Sequence, residues 1–158
     1  VNSLISAEKS MQNITKELGK DIQSPMVKDL FSRHETTLGT YVSHLEECLR
    51  IVGGTYTPVD NYDIEGMLKK VHEFRKMNPS VEAFDLYRLG TGINLWFWKW
   101  AHYRASIGLA RALGENECVR ILESDLREIE DRANKAVDLF GQVSQQWGGG
   151  RGPSLGMR

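Results

Sequence analysis

The sequence predicts an all-α fold: an antiparallel four-helix bundle with one short crossover helix and a flexible C-terminal tail. Three observations carry this expectation. Chain breakers divide the sequence into pieces of helical length, and apolar residues between them recur every three or four positions. No segment alternates with the two-residue period of a strand. The 158 residues fit one domain large enough to bury a continuous core.

The elements follow in order. The first helix carries Leu4, Ala7, Met11, Ile14, Leu18 and Ile22 on one stripe and ends before Ser24-Pro25. The second carries Val27, Leu30/Phe31, Leu38, Val42, Leu45, Leu49 and Val52, and Gly53-Gly54 stops it. A shorter third helix, about 63–77, presents Ile64, Met67/Leu68, Val71 and Phe74. Asn78-Pro79-Ser80 precedes the fourth, about 81–113, with Leu86, Leu89, Ile93, Trp96/Phe97, Trp100, Tyr103, Ile107, Ala110 and Leu113. The last, about 116–146, reads Cys118, Ile121/Leu122, Leu126, Ile129, Ala133, Ala136, Phe140, Val143 and Trp147. Residues 1–147 are therefore the expected bundle, and 148–158 a glycine-rich linker and tail.

Composition narrows the function classes. The chain is 41% hydrophobic and 26% charged, as expected of a globular protein, and its net charge of −1 is spread without a basic stripe. Nucleic acid is a poor partner for such a surface. No apolar run is long enough to span a bilayer, and no signal peptide is visible, which makes the cytoplasm the expected compartment. Cys48 and Cys118 lie in apolar helical stretches, as buried free thiols do. Glycine-rich phosphate loops, serine-nucleophile elbows and His-Glu-x-x-His signatures are all missing from the sequence.

Polar residues on apolar stripes are the candidates for chemistry, because burying them is costly unless they are paired or functional. Glu8 lies one turn from Leu4 and Met11, and His34 one turn from Leu30/Phe31 and Leu38. Lys99 stands among Trp96, Phe97, Trp98 and Trp100, and Glu128 flanks Ile129. One inward polar residue per helix is how a carboxylate-rich bundle builds a metal site. The bland alternatives are an edge glutamate for Glu8 and Glu128, a satisfied core histidine for His34, and a snorkelling lysine for Lys99. The tryptophans cannot all face one core, so Trp96, Trp98 and Trp100 together form the expected interaction face, suited to a homo-oligomer or a protein partner.

Several stretches carry a resemblance: Leu4-Ile5-Ser6-Ala7-Glu8-Lys9, Ser24-Pro25 followed by Leu30-Phe31-Ser32-Arg33-His34, and His44-Leu45-Glu46. Later stretches are Ala110-Arg111-Ala112-Leu113-Gly114, Ile121-Leu122-Glu123 and Leu126-Arg127-Glu128. Over about residues 4–140 the chain resembles the YciF-type, stress-associated, bacterial ferritin-like proteins. The resemblance implies a four-helix bundle whose carboxylates and histidines hold two metal ions, iron or manganese. It maps Glu8, His34 and Glu128 onto ligand positions. The departures are Thr36-Thr37 and Thr40-Tyr41 in the second helix, and Trp96 and Lys99 where the family carries two glutamates.

A di-metal site uses about four carboxylates and two histidines, so the loss of several leaves no specific site. The expectation is a metal-free bundle without a cofactor, more a structural or interaction subunit than an enzyme, in which Lys99 replaces the metals as an internal cation facing Glu8 and Glu128. The alternative is a di-metal protein that oxidises or stores iron or removes peroxide, with Asp125 and Asp131 joining Glu8, His34 and Glu128. A third reading concerns the tail: Ser154-Leu155-Gly156-Met157 behind a glycine linker is similar to peptides that load ferritin-like cargo into encapsulin shells.

Overall fold

The computed structural model describes residues 1–148, which form five helices: α1 (Asn2–Gly19), α2 (Pro25–Ile51), α3 (Tyr62–Lys76), α4 (Val81–Ala112) and α5 (Asn116–Gly148). α3 begins one residue before its expected start, and α5 runs two residues past its expected end. The tail expected to carry a loading peptide lies outside the described residues.

Each helix stops for a local reason. Pro25 occupies the first turn of α2, where its missing N–H costs nothing. Gly53 and Gly114 take left-handed φ values of 69° and 77° just past α2 and α4. There the amides of Gly54 and Glu115 reach back to the carbonyls of Leu49 and Ala110, both at 2.9 Å, in Schellman closures. The Ser80 hydroxyl accepts the Ala83 amide at 3.2 Å and caps α4.

Packing between the helices makes a closed four-membered ring: α1 against α2, α2 against α5, α5 against α4, and α4 against α1. Lys9 meets Glu46, His44 meets Asp125, Arg111 meets Glu123, and Lys99 meets Glu8, so every neighbouring pair runs antiparallel. α3 carries the chain across to the diagonal corner and lies over the seam between α1 and α4. The interior is a single cluster that includes Leu4, Met11, Leu18, Phe31, Leu38, Leu45, Leu89, Trp96, Ile107, Leu122 and Ile129.

The end of the bundle that holds the α1–α2 turn is fastened by α4. The Asp85 carboxylate accepts the amides of Gln23 and Ser24, each at 3.0 Å. Ser24, the N-cap of α2, supplies no side-chain cap of its own, and Asp85 instead ties down the backbone just before the helix from another element. Arg88 pairs with Asp85 and donates to the Lys20 carbonyl, and its guanidinium lies 4.4 Å from the Phe84 ring centroid.

Candidate functional site

Four helices bring polar side chains to the middle of the bundle. Glu8 and Lys99 are both 0% exposed, and Lys99 Nζ donates to Glu8 Oε2 at 2.9 Å. The Tyr103 hydroxyl donates to the other carboxylate oxygen at 3.1 Å. The Tyr41 ring, from α2, lies 3.9 Å from the Lys99 ammonium, a cation–π contact. Asp125 enters from α5, where its Oδ1 is 2.7 Å from Nδ1 of the half-buried His44. One turn of α4 away, the Trp96 indole N–H donates to His34 Nδ1 at 3.4 Å, with the rings edge to face.

The positions follow from the helix period. Glu8 sits between Leu4 and Met11 on the buried stripe of α1, and Lys99 lies four residues before Tyr103 on that of α4. On α5 the buried line runs Leu122, Asp125, Ile129, Ala133, Ala136. Asp125, not Glu128, is therefore the inward carboxylate of that helix. The Glu128 side chain is 43% exposed and accepts from Arg132 one turn on, at 2.7 Å. This corrects the expectation that Glu128 faces the core opposite Lys99. Asp131 is likewise exposed and pairs with Lys135.

Burial dominates the electrostatics. It raises Glu8 above the usual carboxylate range, and the adjoining Lys99 opposes that rise. It lowers Lys99, and Glu8 opposes that fall. Wherever the shared proton sits, the pair is net neutral, the form that a low-dielectric core accepts. Burial also raises Asp125 to about 6, against the hydrogen bond from His44. His34 is held well below its ordinary range by burial, then by the positive charge of Lys99. It is a neutral acceptor for Trp96, the satisfied core histidine of the sequence reading. Tyr103 and Tyr41 are both pushed up by burial, so both phenols stay protonated.

The donor set does not suit a di-metal centre. Both oxygens of Glu8 are taken, one by an ammonium, and His34 faces an indole N–H. Glu128 is half-buried and paired with Arg132. Among the described residues no three His, Cys, Asp or Glu side chains gather so that they could hold a metal ion. What the arrangement can do is join α1, α2, α4 and α5 through one polar layer.

The tryptophans divide three ways. Trp96 is buried against Phe31 and His34, which corrects its place on the interaction face: its position falls on the inward stripe with Leu89 and Tyr103. Trp100 is half-buried and donates to Glu130 at 2.7 Å. Trp98 is half-buried, stacks on His102, and lines an open groove of about 1000 Å³ with Leu86, Ile93, Met67 and Phe140. Next to Trp98 in sequence, Phe97 is 47% exposed, an aromatic face that the inward stripe assignment had hidden.

Residues 2–146 match the family model described as a domain of unknown function, DUF892. No match is found among the curated proteins. The chain is similar in structure to the E. coli stress protein YciF, with TM-score 0.85, 16% identity, and 91% of each chain covered. It is also similar to YcfI from Rhodopseudomonas palustris, described as a candidate structural protein, with TM-score 0.80 and 17% identity over 85% of this chain and 86% of that one. A protein from Xanthomonas campestris superposes with TM-score 0.72 and 20% identity, over 89% of this chain and 86% of that one. At these identities the similarity establishes a shared helical-bundle fold. No helix among the described residues is long and apolar enough to cross a membrane.

Proposed function

The chain belongs to the DUF892 family, and on that footing we propose that it is a structural, self-associating subunit of ferritin-like descent with a metal-independent core. The observation that carries this reading is Lys99 Nζ on Glu8 Oε2, an ammonium standing where a bundle of this kind would direct carboxylates at metal. Lys99 and Tyr103 satisfy both oxygens of Glu8 without an ion, while the Tyr41 hydroxyl and Asp125 Oδ2 in the same layer are buried without a hydrogen-bond partner. The E. coli neighbour is named a stress protein and the R. palustris neighbour is described as a candidate structural protein, which supports a structural, stress-associated role.

The surface that would serve such a role is the groove across α3, α4 and α5, where Trp98, Ile93, Leu86 and Phe140 meet solvent. Exposed aromatic and aliphatic groups of this kind favour burial against a partner. A net charge of −1 puts little repulsion between copies, so a second copy of the chain is the partner proposed.

One natively purified sample tests both parts. Elemental mass spectrometry, before and after anaerobic Fe(II) loading and desalting, should find no stoichiometric metal. Light scattering on the same sample should find an assembly larger than one chain, reduced by Trp98→Glu. Two ions per chain would overturn the metal-independent reading, and a strict monomer at high concentration would overturn the self-association.

A further inference from the structure

Away from the polar layer, at the end of the bundle where α2 and α4 terminate, two thiols face each other across the α2–α5 interface. Cys48 and Cys118 are free and buried. The Cys118 thiol donates to the Cys48 backbone carbonyl at 3.6 Å, which brings the second cysteine against the first. Both line one small, mainly apolar cavity of about 150 Å³. Val52, Leu109 and Leu113, all exposed, line the same cavity, so it links solvent to the surroundings of the two cysteines.

These features answer a question that burial alone leaves open. Buried cysteines are ordinarily inert core residues. A single thiol here would need no further reading. Two cysteines about 70 residues apart in sequence, one thiol bonded to the other's backbone carbonyl and both lining one cavity, are neighbours from which an intramolecular bridge can close. We propose that Cys48 and Cys118 are a peroxide-oxidisable dithiol, whose disulfide staples α2 to α5.

The reaction balances with hydrogen peroxide as oxidant. One thiol sulfur attacks a peroxide oxygen and breaks the O–O bond, giving a sulfenic acid and one water. The second sulfur then displaces that hydroxyl as a second water, and the S–S bond forms. Two thiols lose two electrons and two protons, and one peroxide is reduced to two waters. A small uncharged oxidant suits an apolar entry that excludes larger and charged thiol reagents.

The environment also sets the pace. Burial pushes the Cys48 thiol up to about 12, with Cys118 adding to the rise, so little thiolate exists at neutral pH. The pair therefore oxidises slowly at neutral pH and reacts faster as pH rises. The core ion pair plays no part in this chemistry, so the two readings stand or fall separately.

The test uses the folded chain treated with hydrogen peroxide, then denatured and alkylated for intact and peptide mass spectrometry. The expected product has lost two hydrogen atoms, takes up no alkylating reagent, and yields a linked peptide pair containing residues 48 and 118. Dithiothreitol should restore both alkylation sites, and the product should migrate faster than reduced protein on a non-reducing gel. Cys48→Ser and Cys118→Ser should each show no such product and should leave the remaining cysteine as a trappable sulfenic acid. Full alkylation of both cysteines after peroxide treatment would overturn the proposal. So would bridges formed only between chains, or bridges formed only after unfolding.

Discussion

Replacing Lys99 by methionine keeps an unbranched side chain, one atom shorter, and removes its charge, leaving Glu8 fully buried with Tyr103 as its one remaining partner. The abandoned carboxyl will not stay ionised in such a place, and takes up a proton instead. Holding that proton at pH 7, against an ordinary value of 4.5, costs about 3 kcal/mol. Breaking a buried pair by removing one partner costs a similar amount, about 3–5 kcal/mol. Lys99→Met should therefore unfold in urea with about 3 kcal/mol less stability at pH 7, and melt roughly 6–12 °C lower. Because the penalty is one of protonation, it shrinks by about 1.4 kcal/mol for each unit that pH falls. By pH 5 it should be below about 1 kcal/mol. The double variant Glu8→Gln/Lys99→Met keeps an acceptor for Tyr103 and buries no charge, so it should recover most of the loss at every pH. An unchanged stability at pH 7, or a deficit that does not shrink toward pH 5, would refute the argument.

Asp125 is raised to about 6 in the fold, so its protonated form is favoured there, and the stability it allows is full below about 4 and falls as pH rises through 6. Asp125→Asn keeps a polar partner for His44 and should gain on the wild type by about 1–2 kcal/mol between pH 4 and pH 7, read from paired urea curves. His34 works in the opposite sense: burial depresses it, so stability is lost as pH falls below its ordinary 6.5. His34→Gln should flatten the acid limb of the stability profile between about pH 6.5 and 5, and its ring-proton titration in the wild type should be absent over that range. Asp85→Ala strands Arg88 and two amides at the start of α2, and should cost about 3–5 kcal/mol, with faster hydrogen exchange at Gln23 and Ser24. Asp85→Asn should lose less, since its amide oxygen can still accept.

Most of the fold could be read from spacing alone. On α5 the polar and apolar faces contrast sharply, and the line Cys118, Leu122, Ile129, Ala133, Ala136 was legible at once. Asp125 sits on that same line, three after Leu122 and four before Ile129, which is the signal that distinguishes it from Glu128. α4 is harder to read because apolar and aromatic groups surround it, and two inward positions are Gly92 and Lys99. With the buried stripe interrupted by a glycine and a cation, the period favours the wrong neighbours, Phe97 and Leu113, both exposed. Glu8, His34 and Lys99 could be located because each is a polar residue on an apolar stripe. The partnership of Glu8 with Tyr103, of His44 with Asp125, and of Asp85 with the α1–α2 turn links distant residues, and no local pattern records them.

The last of these contacts has a bearing on how the chain is made. Asp85 lies 62 residues beyond the Gln23 amide that it binds. A nascent chain therefore exposes α1, the turn and all of α2 before the group that secures their junction has been synthesised. Until then the amides of Gln23 and Ser24 in the α1–α2 turn lack this acceptor, and the N-terminal hairpin waits as an unlocked pair. Arrival of the first turn of α4 fixes the junction and begins the second half of the bundle in one event. The order of synthesis thus couples the completion of the first hairpin to the start of the second.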